Sequence, residues 1–183
     1  MKRLFYTIAC TLMCTFCGPY VQEAAAQTYE SHLRSTTHEE RAERRAKRLA
    51  EDAKLIDSIV LSHNFEFNPQ SVQLQPAGMM KLLSNPNYTL TVWRGSMDIC
   101  LPYYTGIVPP YRYTLLNTGS PSLNDYVTQQ TEHGWKVTFN TYLYASMEYS
   151  FVLDIYSHGG ATHTINNTWY NPVQYMGTIT QIY

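Results

Sequence analysis

The spacing of apolar side chains divides the chain into a helical part and a β-rich part. Between residues 42 and 60, apolar residues recur every three or four positions, which is the period of a helix with one apolar face. From Phe65 onwards the period changes to two, as in strands that bury one face. The clearest alternation comprises Tyr149, Phe151, Leu153 and Ile155. The pattern therefore predicts a helix followed by a β domain.

The helical pattern predicts a charged amphipathic helix over residues 36–62. Thr36 or Thr37 can cap its start, since a Glu three residues after Thr37 completes a capping box. The bulkier apolar residues (Leu49, Ile56 and Val60) lie in its second half, so we expect that half to pack on the domain and the first half to project or be loosely held. Oppositely charged pairs four residues apart, such as Glu40 and Arg44, favour a solvated face for the basic cluster over an anion-binding surface.

The sequence pattern of residues 63–183 predicts an antiparallel β domain. Their strand-like segments are separated by short turns with no intervening helical pattern, which indicates a meander closed as a β-barrel or stacked as a sandwich. The fold class is therefore mainly β (α+β), with the helix preceding the sheet. Gly177 lies within the last strand pattern, where a glycine is typical of a bulge or a close approach of two backbones.

The turn at residues 158–160 leaves two registers open. A two-residue turn pairs residue 157 with 160, which places His158 and His163 on the face of Asp154 as a possible metal cluster. A three-residue loop with left-handed Gly160 pairs 157 with 161 and places His163 opposite Ile155. The second register keeps apolar residues together, so we prefer it and expect His163 to be a hydrogen-bonded core histidine.

The N-terminus has the features of a secretory signal peptide over residues 1–26. Basic Lys2 and Arg3 precede an apolar run over residues 4–17, and three alanines before Gln27 suit a signal peptidase. We therefore expect export to the periplasm or cell envelope, a flexible segment over residues 27–35, and no transmembrane segment after cleavage. The residues around the leader cysteines do not favour a lipid anchor, and the mature chain keeps only Cys100, so no intrachain disulfide is predicted.

Several motifs resemble the secreted bacterial family known as domain of unknown function 4251. The resemblance covers residues from about 39 to 180. In the first half of the chain it rests on the Arg- and Ala-rich helix before Phe65-Glu66-Phe67 and on residues 87–92 and 101–106. In the second half it rests on His158-Gly159-Gly160-Ala161-Thr162 and on residues 172–179. The chain departs from the family pattern at His163 and at Trp169-Tyr170. The resemblance implies the fold and the exported compartment, and the family carries no assigned activity.

Charge and motifs argue against several function classes. The chain has 13 basic and 14 acidic residues, a balance that does not indicate a nucleic-acid binder. It lacks a nucleophile elbow, a phosphate-binding glycine loop and a helical zinc motif. We therefore predict no catalytic residues, no metal site and no cofactor, and we do not expect an enzyme. A hydrolase-type enzyme is the third alternative, and it would require two carboxylates, or Asp154 and a histidine, to converge.

The surplus of aromatic residues is the strongest functional signal. The chain has 16 tyrosines, too many for one core, and Tyr and Trp suit stacking on a ligand or packing on a partner. The candidate ligand-binding residues are Tyr103, Tyr104, Tyr111, Tyr113, Trp169 and Tyr170.

Two interpretations of these aromatic residues remain open. We predict a non-catalytic binding module of the periplasm or cell envelope for an unknown small ligand. The alternative is a structural or protein-interaction component of the envelope, with the proline-rich loop after Tyr104 only covering the end of the sheet. A pocket of roughly 300–1,000 Å³ between residues 103–111 and 158–170 would favour a ligand. Direct packing of these segments on each other would favour an interaction partner.

Overall fold

The structure is a computed structural model that describes residues 18–106, 108–144 and 147–182, with side chains from residue 37 onwards. The basic and apolar parts of the predicted signal peptide, residues 1–17, lie outside the described residues. The chain divides into two compact units, Met1–Arg48 and Leu49–Tyr183. The second unit contains the whole β-sheet.

Helix α1 spans Gly18–Ser62 and is longer than the predicted 36–62 helix. Thr37 therefore lies inside the helix and is not its cap, and the helical backbone includes residues 27–35, for which a flexible segment is predicted. The composition favours this longer helix, because residues 18–35 include Ala, Glu, Gln and Leu, which are strong helix formers. The predicted pairing of Glu40 with Arg44 is present, with 3.7 Å between Oε2 and Nη2 at the exposed surface.

The C-terminal end of α1 packs on the sheet. Ile56, Ile59 and Val60 are buried in the same apolar core as the strands, which confirms the predicted stripe at Ile56 and Val60. The prediction for Leu49 is wrong, since this side chain is 57% exposed. Leu49 lies two turns before Ile56, about 10 Å along the helix axis, and the fully buried part of the helix begins only at Ile56.

The described residues after α1 form ten strands in one antiparallel sheet, which confirms the mainly β fold class. The strands are β1 (Asn64–Leu74), β2 (Lys81–Leu82), β3 (Thr89–Trp93), β4 (Ser96–Thr105), β5 (Arg112–Ser120), β6 (Asn124–Thr131), β7 (Gly134–Leu143), β8 (Met147–Tyr156), β9 (Gly160–Asn167) and β10 (Tyr170–Gln181). Nine of them follow the order β5-β4-β3-β1-β10-β9-β8-β7-β6, and β2 pairs with β1.

The two ends of the sheet, β5 and β6, are not joined by a backbone ladder in the described part of the chain. Barrel closure, one of the two predicted arrangements, is therefore not formed by main-chain hydrogen bonds. Side chains nevertheless connect β5 with β7, because the Ser120 and Thr141 hydroxyls are 2.6 Å apart. The Tyr175 hydroxyl of β10 likewise donates to the Pro102 carbonyl of β4 at 2.6 Å. The sheet is thus curved enough for non-adjacent strands to meet.

The core is built from alternate residues of the strands, as the period of two predicts. The alternation in β8 is confirmed, since Tyr149, Phe151, Leu153 and Ile155 are all at most 2% exposed. Gly177 is confirmed as a site of close approach in β10. A Cβ atom there would lie 2.1 Å from the Asn68 carbonyl oxygen, and the β1–β10 register shifts next to this point.

The β8–β9 hairpin confirms the preferred side-chain faces but not the predicted pairing. His163 lies opposite Leu153, not Ile155, so the register differs by two residues from the prediction. The three-residue loop comprises residues 157–159, and its left-handed glycine is Gly159 (φ 86°), not Gly160. A shift of two residues keeps every side chain on its face. The even shift explains why His163 is still buried.

Candidate functional site

The six predicted ligand-binding aromatics do not form one site. Tyr103 is only 1% exposed, and its ring contacts Tyr149 (6.0 Å between centroids) and Tyr170 (6.5 Å). Burial, together with these two neighbouring tyrosines, raises the pKa of the Tyr103 hydroxyl. The two predicted segments therefore meet through Tyr103 and Tyr170, which pack on each other. Such packing favours an interaction partner over a ligand held between these two segments. Tyr103 belongs to the core and is not available to a ligand at the surface.

Trp169 lies in the β9–β10 turn and is 66% exposed. Two other predicted residues, Tyr104 and Tyr111, line a separate cavity of about 170 Å³. We call this cavity the aromatic pocket. Its lining residues are Leu74, Gly78, Met79, Lys81, Tyr104 and Tyr111.

One wall of the aromatic pocket is built by the end of β1 and the loop after it. The Gly78 N–H donates to the Leu74 carbonyl at 2.7 Å, and the Gln73 side-chain amide donates to the Gly78 carbonyl at 2.9 Å. These bonds fold the loop back onto the strand that it leaves. The short strand β2 then pairs with β1, with Lys81 opposite Val72. These contacts place Leu74, Gly78 and Lys81 at the aromatic pocket.

The rest of the lining comes from β4, which contributes Tyr104, and from the loop before β5, which contributes Tyr111. Tyr104 pairs with Tyr113 in the β4–β5 register, and their rings meet edge to face at 5.4 Å. Desolvation of the hydroxyl and its hydrogen bond with Tyr88 raise the pKa of Tyr113 to about 12, although 55% of the side chain is exposed. Tyr113 therefore stays neutral at physiological pH. It supports the Tyr104 ring but does not line the aromatic pocket.

Two polar groups give the aromatic pocket its chemical character. The Lys81 Nζ lies 5.2 Å from the centroid of the Tyr104 ring, within the range of a cation–π interaction. Tyr104 is 8% exposed, and its hydroxyl has no hydrogen-bond partner among the described residues. Lys81 is the charged member of an otherwise apolar and aromatic lining. The arrangement can hold an apolar group beside a hydrogen-bond donor and a positive charge.

The surface next to the aromatic pocket is unusually apolar. Met79 is 87% exposed, Met80 56% and Leu82 82%, and all three belong to the loop and strand that form one wall. We call residues 79–82 the methionine segment. Contiguous exposed apolar residues are typical of binding surfaces, and flexible methionines adapt to different partners. The alternation of apolar residues does not single out this segment, although four of the five residues in 79–83 are apolar and they follow a turn.

The cluster of Asp154, His158 and His163 that a two-residue turn would create is not formed. His163 is fully buried in the core, whereas Asp154 faces outwards with Oδ1 3.9 Å from Lys136 Nζ. His158 stacks on Tyr156 at 5.6 Å. Among the described residues, no group of three or more His, Cys, Asp or Glu side chains could hold a metal ion.

His163 also differs from the prediction in one respect. Both ring nitrogens lack a hydrogen-bond partner among the described residues, so the core histidine is not hydrogen-bonded. The ring is instead surrounded by Phe67, Phe151 and Tyr175, at centroid distances of 5.3 to 5.7 Å. Burial lowers the pKa of His163 to about 3, so the imidazole is neutral at physiological pH.

The fold and the pocket define a class of protein: a mainly β domain that follows an N-terminal helix and carries an aromatic pocket near one end of its sheet. A family profile described as "Domain of unknown function (DUF4251)" matches residues 47–179. The chain therefore belongs to the DUF4251 family. A search of the curated proteins gives no significant match.

A solved structure supports this assignment. The crystal structure of a DUF4251 family protein from Bacteroides eggerthii DSM 20697 is similar to this chain, with a TM-score of 0.54 and 15% sequence identity. The match covers 72% of this chain and 89% of that one. At this identity the similarity shows a shared fold. In the part of the chain that the structure describes, no helix is long and apolar enough to cross a membrane.

Proposed function

We propose that this protein is an exported, non-catalytic binding protein of the periplasm or cell envelope. Its ligand site would be the aromatic pocket, and the ligand would present an apolar group together with a carboxylate. The observation that carries the proposal is the position of the Lys81 ammonium over the Tyr104 ring, at a cavity whose other lining residues are uncharged. The pattern of the N-terminal residues supports export.

The size of the aromatic pocket restricts the ligand. Its volume of about 170 Å³ is below the roughly 300–1,000 Å³ of sites that enclose a drug-sized ligand. It accommodates one aromatic ring or a short alkyl chain. The uncharged walls favour such a group through burial of apolar surface. The Lys81 ammonium can donate to a carboxylate oxygen.

Calorimetric titration with octanoate and with octanamide tests this proposal, because the two probes share a chain and differ in charge. We expect octanoate to bind more tightly, and Lys81→Met to reduce its affinity to that of octanamide. The expected loss is about fivefold, since an ion pair at a partly exposed site contributes at most ~1 kcal/mol. Tyr111→Ala removes a pocket wall and should weaken the binding of both probes.

Tyr156→Ala is the matched control, because Tyr156 is 38% exposed and Tyr111 is 37% exposed. Tyr156 does not line the aromatic pocket, so its substitution should leave both affinities unchanged. Absence of octanoate binding, or equal effects of the two tyrosine substitutions, would contradict the proposed site.

The methionine segment favours a second candidate function, an interaction component of the envelope. In that case a side chain of a partner protein occupies the aromatic pocket, and Met79, Met80 and Leu82 contact its surroundings. A photo-crosslinking residue at Leu82 should then give a discrete crosslinked species in the cells that produce the protein. The same residue at Val127, which is 54% exposed on β6, is the control. Identical crosslinking from the two positions would argue against a specific partner.

A further inference from the structure

The outward face of strands β7, β8 and β9 carries a second concavity, which we call the polar groove. Its volume is about 430 Å³, within the range of ligand sites. The lining residues are Asn140, Glu148, Ser150, Asn166, Asn167 and Thr168. All six are polar and none is basic, so the chemistry of the polar groove differs from that of the aromatic pocket.

The floor of the polar groove is a row of side chains across three strands. Asn140 pairs with Ser150, and Ser150 pairs with Asn166, so their Cβ atoms are neighbours at about 4.5–5.5 Å. The Ser150 hydroxyl and the Asn166 carboxamide form no hydrogen bond with other described residues, yet both residues are half-buried. The row therefore offers free donors and acceptors in a partly desolvated place.

The end of the polar groove is formed by a turn that Asn167 holds in place. Its Oδ1 accepts the Trp169 N–H at 2.8 Å, and its Nδ2 donates to the Glu148 carbonyl at 3.0 Å. Trp169 directly follows Thr168 of the groove lining, and its indole is 66% exposed. The exposed Trp169 is not itself a lining residue, but it lies one residue beyond the groove lining in a turn that is already ordered. Binding there requires little further ordering of the chain.

From this geometry we propose that the polar groove binds an uncharged sugar unit. A sugar ring has an apolar face that stacks on an indole and a rim of hydroxyl groups that exchange hydrogen bonds with amides and hydroxyls. Trp169 supplies the stacking surface, and Ser150 and Asn166 supply the hydrogen bonds. The lining contains the Glu148 carboxylate and no basic residue, which disfavours anionic ligands. The inference does not depend on the aromatic pocket.

Nuclear magnetic resonance titration of the ¹⁵N-labelled protein tests the inference. The probes are cellotetraose, laminaritetraose and mannotetraose up to about 10 mM, a range that detects millimolar affinity. The indole N–H signals of the tryptophans are resolved individually, and loss of one signal in Trp169→Phe assigns it. We expect at least one probe to shift the Trp169 signal while the Trp93 and Trp135 signals stay in place.

Substitutions then separate the polar groove from other surfaces. Trp169→Ala and Asn166→Leu should each weaken binding by about tenfold. Two control variants change residues that do not line the groove. Trp93→Phe replaces another exposed indole (42% exposed), and Thr138→Ala replaces an outward residue of β7. Both variants should bind the sugar with unchanged affinity. The inference is wrong if no probe shifts the Trp169 signal. It is equally wrong if binding survives Trp169→Ala and Asn166→Leu unchanged.

Discussion

Replacing His163 by leucine is expected to stabilise the protein and to remove part of its sensitivity to acid. The imidazole is fully buried, and neither nitrogen has a hydrogen-bond partner among the described residues. A buried polar group without a partner costs about 1–3 kcal/mol. Leucine fills a similar volume among Phe67, Phe151 and Tyr175 and carries no polar atom. We therefore expect His163→Leu to raise the free energy of unfolding by about 1–3 kcal/mol at pH 7.

The effect should grow as the pH falls. Burial lowers the pKa of His163 from 6.5 to about 3 in the folded protein. Between these two values the unfolded chain binds a proton that the folded protein does not, so acidification favours unfolding. The free energy of unfolding then falls by up to ~1.4 kcal/mol per pH unit. From pH 7 to pH 5 the histidine accounts for a loss of about 2 kcal/mol, which His163→Leu should abolish.

Urea denaturation followed by far-ultraviolet circular dichroism at pH 7, 6 and 5 measures this difference. Other titrating groups affect both proteins equally, so they cancel when the variant is compared with the wild type. His133→Leu, at an exposed position in the turn before β7, is the control for the loss of a histidine outside the core. A pH-independent difference for His163→Leu would refute the reasoning, because it would mean that the folded protein protonates His163 as readily as the unfolded chain.

Three further substitutions test the packing. Gly177→Ala should destabilise by about 1–3 kcal/mol, because its Cβ would clash with the Asn68 carbonyl; an unchanged urea midpoint would disprove this close approach. Tyr175→Phe should cost about 1–3 kcal/mol in thermal unfolding, since it leaves the buried Pro102 carbonyl without its donor; a neutral effect would contradict that hydrogen bond. Asp57→Ala removes the carboxylate that accepts the indole N–H of Trp135 on β7 at 2.7 Å, and it should speed amide exchange in the last turns of α1. Unaltered exchange would mean that this hydrogen bond does not hold the helix on the sheet.

The sequence pattern predicts the buried faces well, because they depend on local alternation. In β8 and β9 the choice between two turns followed from keeping apolar residues together, and that argument identified His163 as a core residue. It could not distinguish registers that differ by two residues, since both place the same side chains inwards. The exact pairing depends on which glycine adopts the left-handed conformation. Here Gly159 adopts it and Gly160 does not.

The aromatic residues show where sequence reasoning reaches its limit. Tyr103 and Tyr104 are neighbours in the chain, so they point to opposite faces of β4. Both are buried, but only Tyr104 lines the aromatic pocket, and composition alone treats them alike. Lys81 and Met79 reach the same pocket only because β2 pairs with β1, a contact that no periodicity in a two-residue strand can reveal. The polar groove likewise depends on the cross-strand register.

A crystal structure of the protein grown with octanoate tests the central claim most directly. The account predicts the alkyl chain between Leu74 and Tyr111 and the carboxylate within hydrogen-bond distance of Lys81 Nζ. An octanoate molecule bound elsewhere, with the aromatic pocket empty and Lys81 still over the Tyr104 ring, would contradict it.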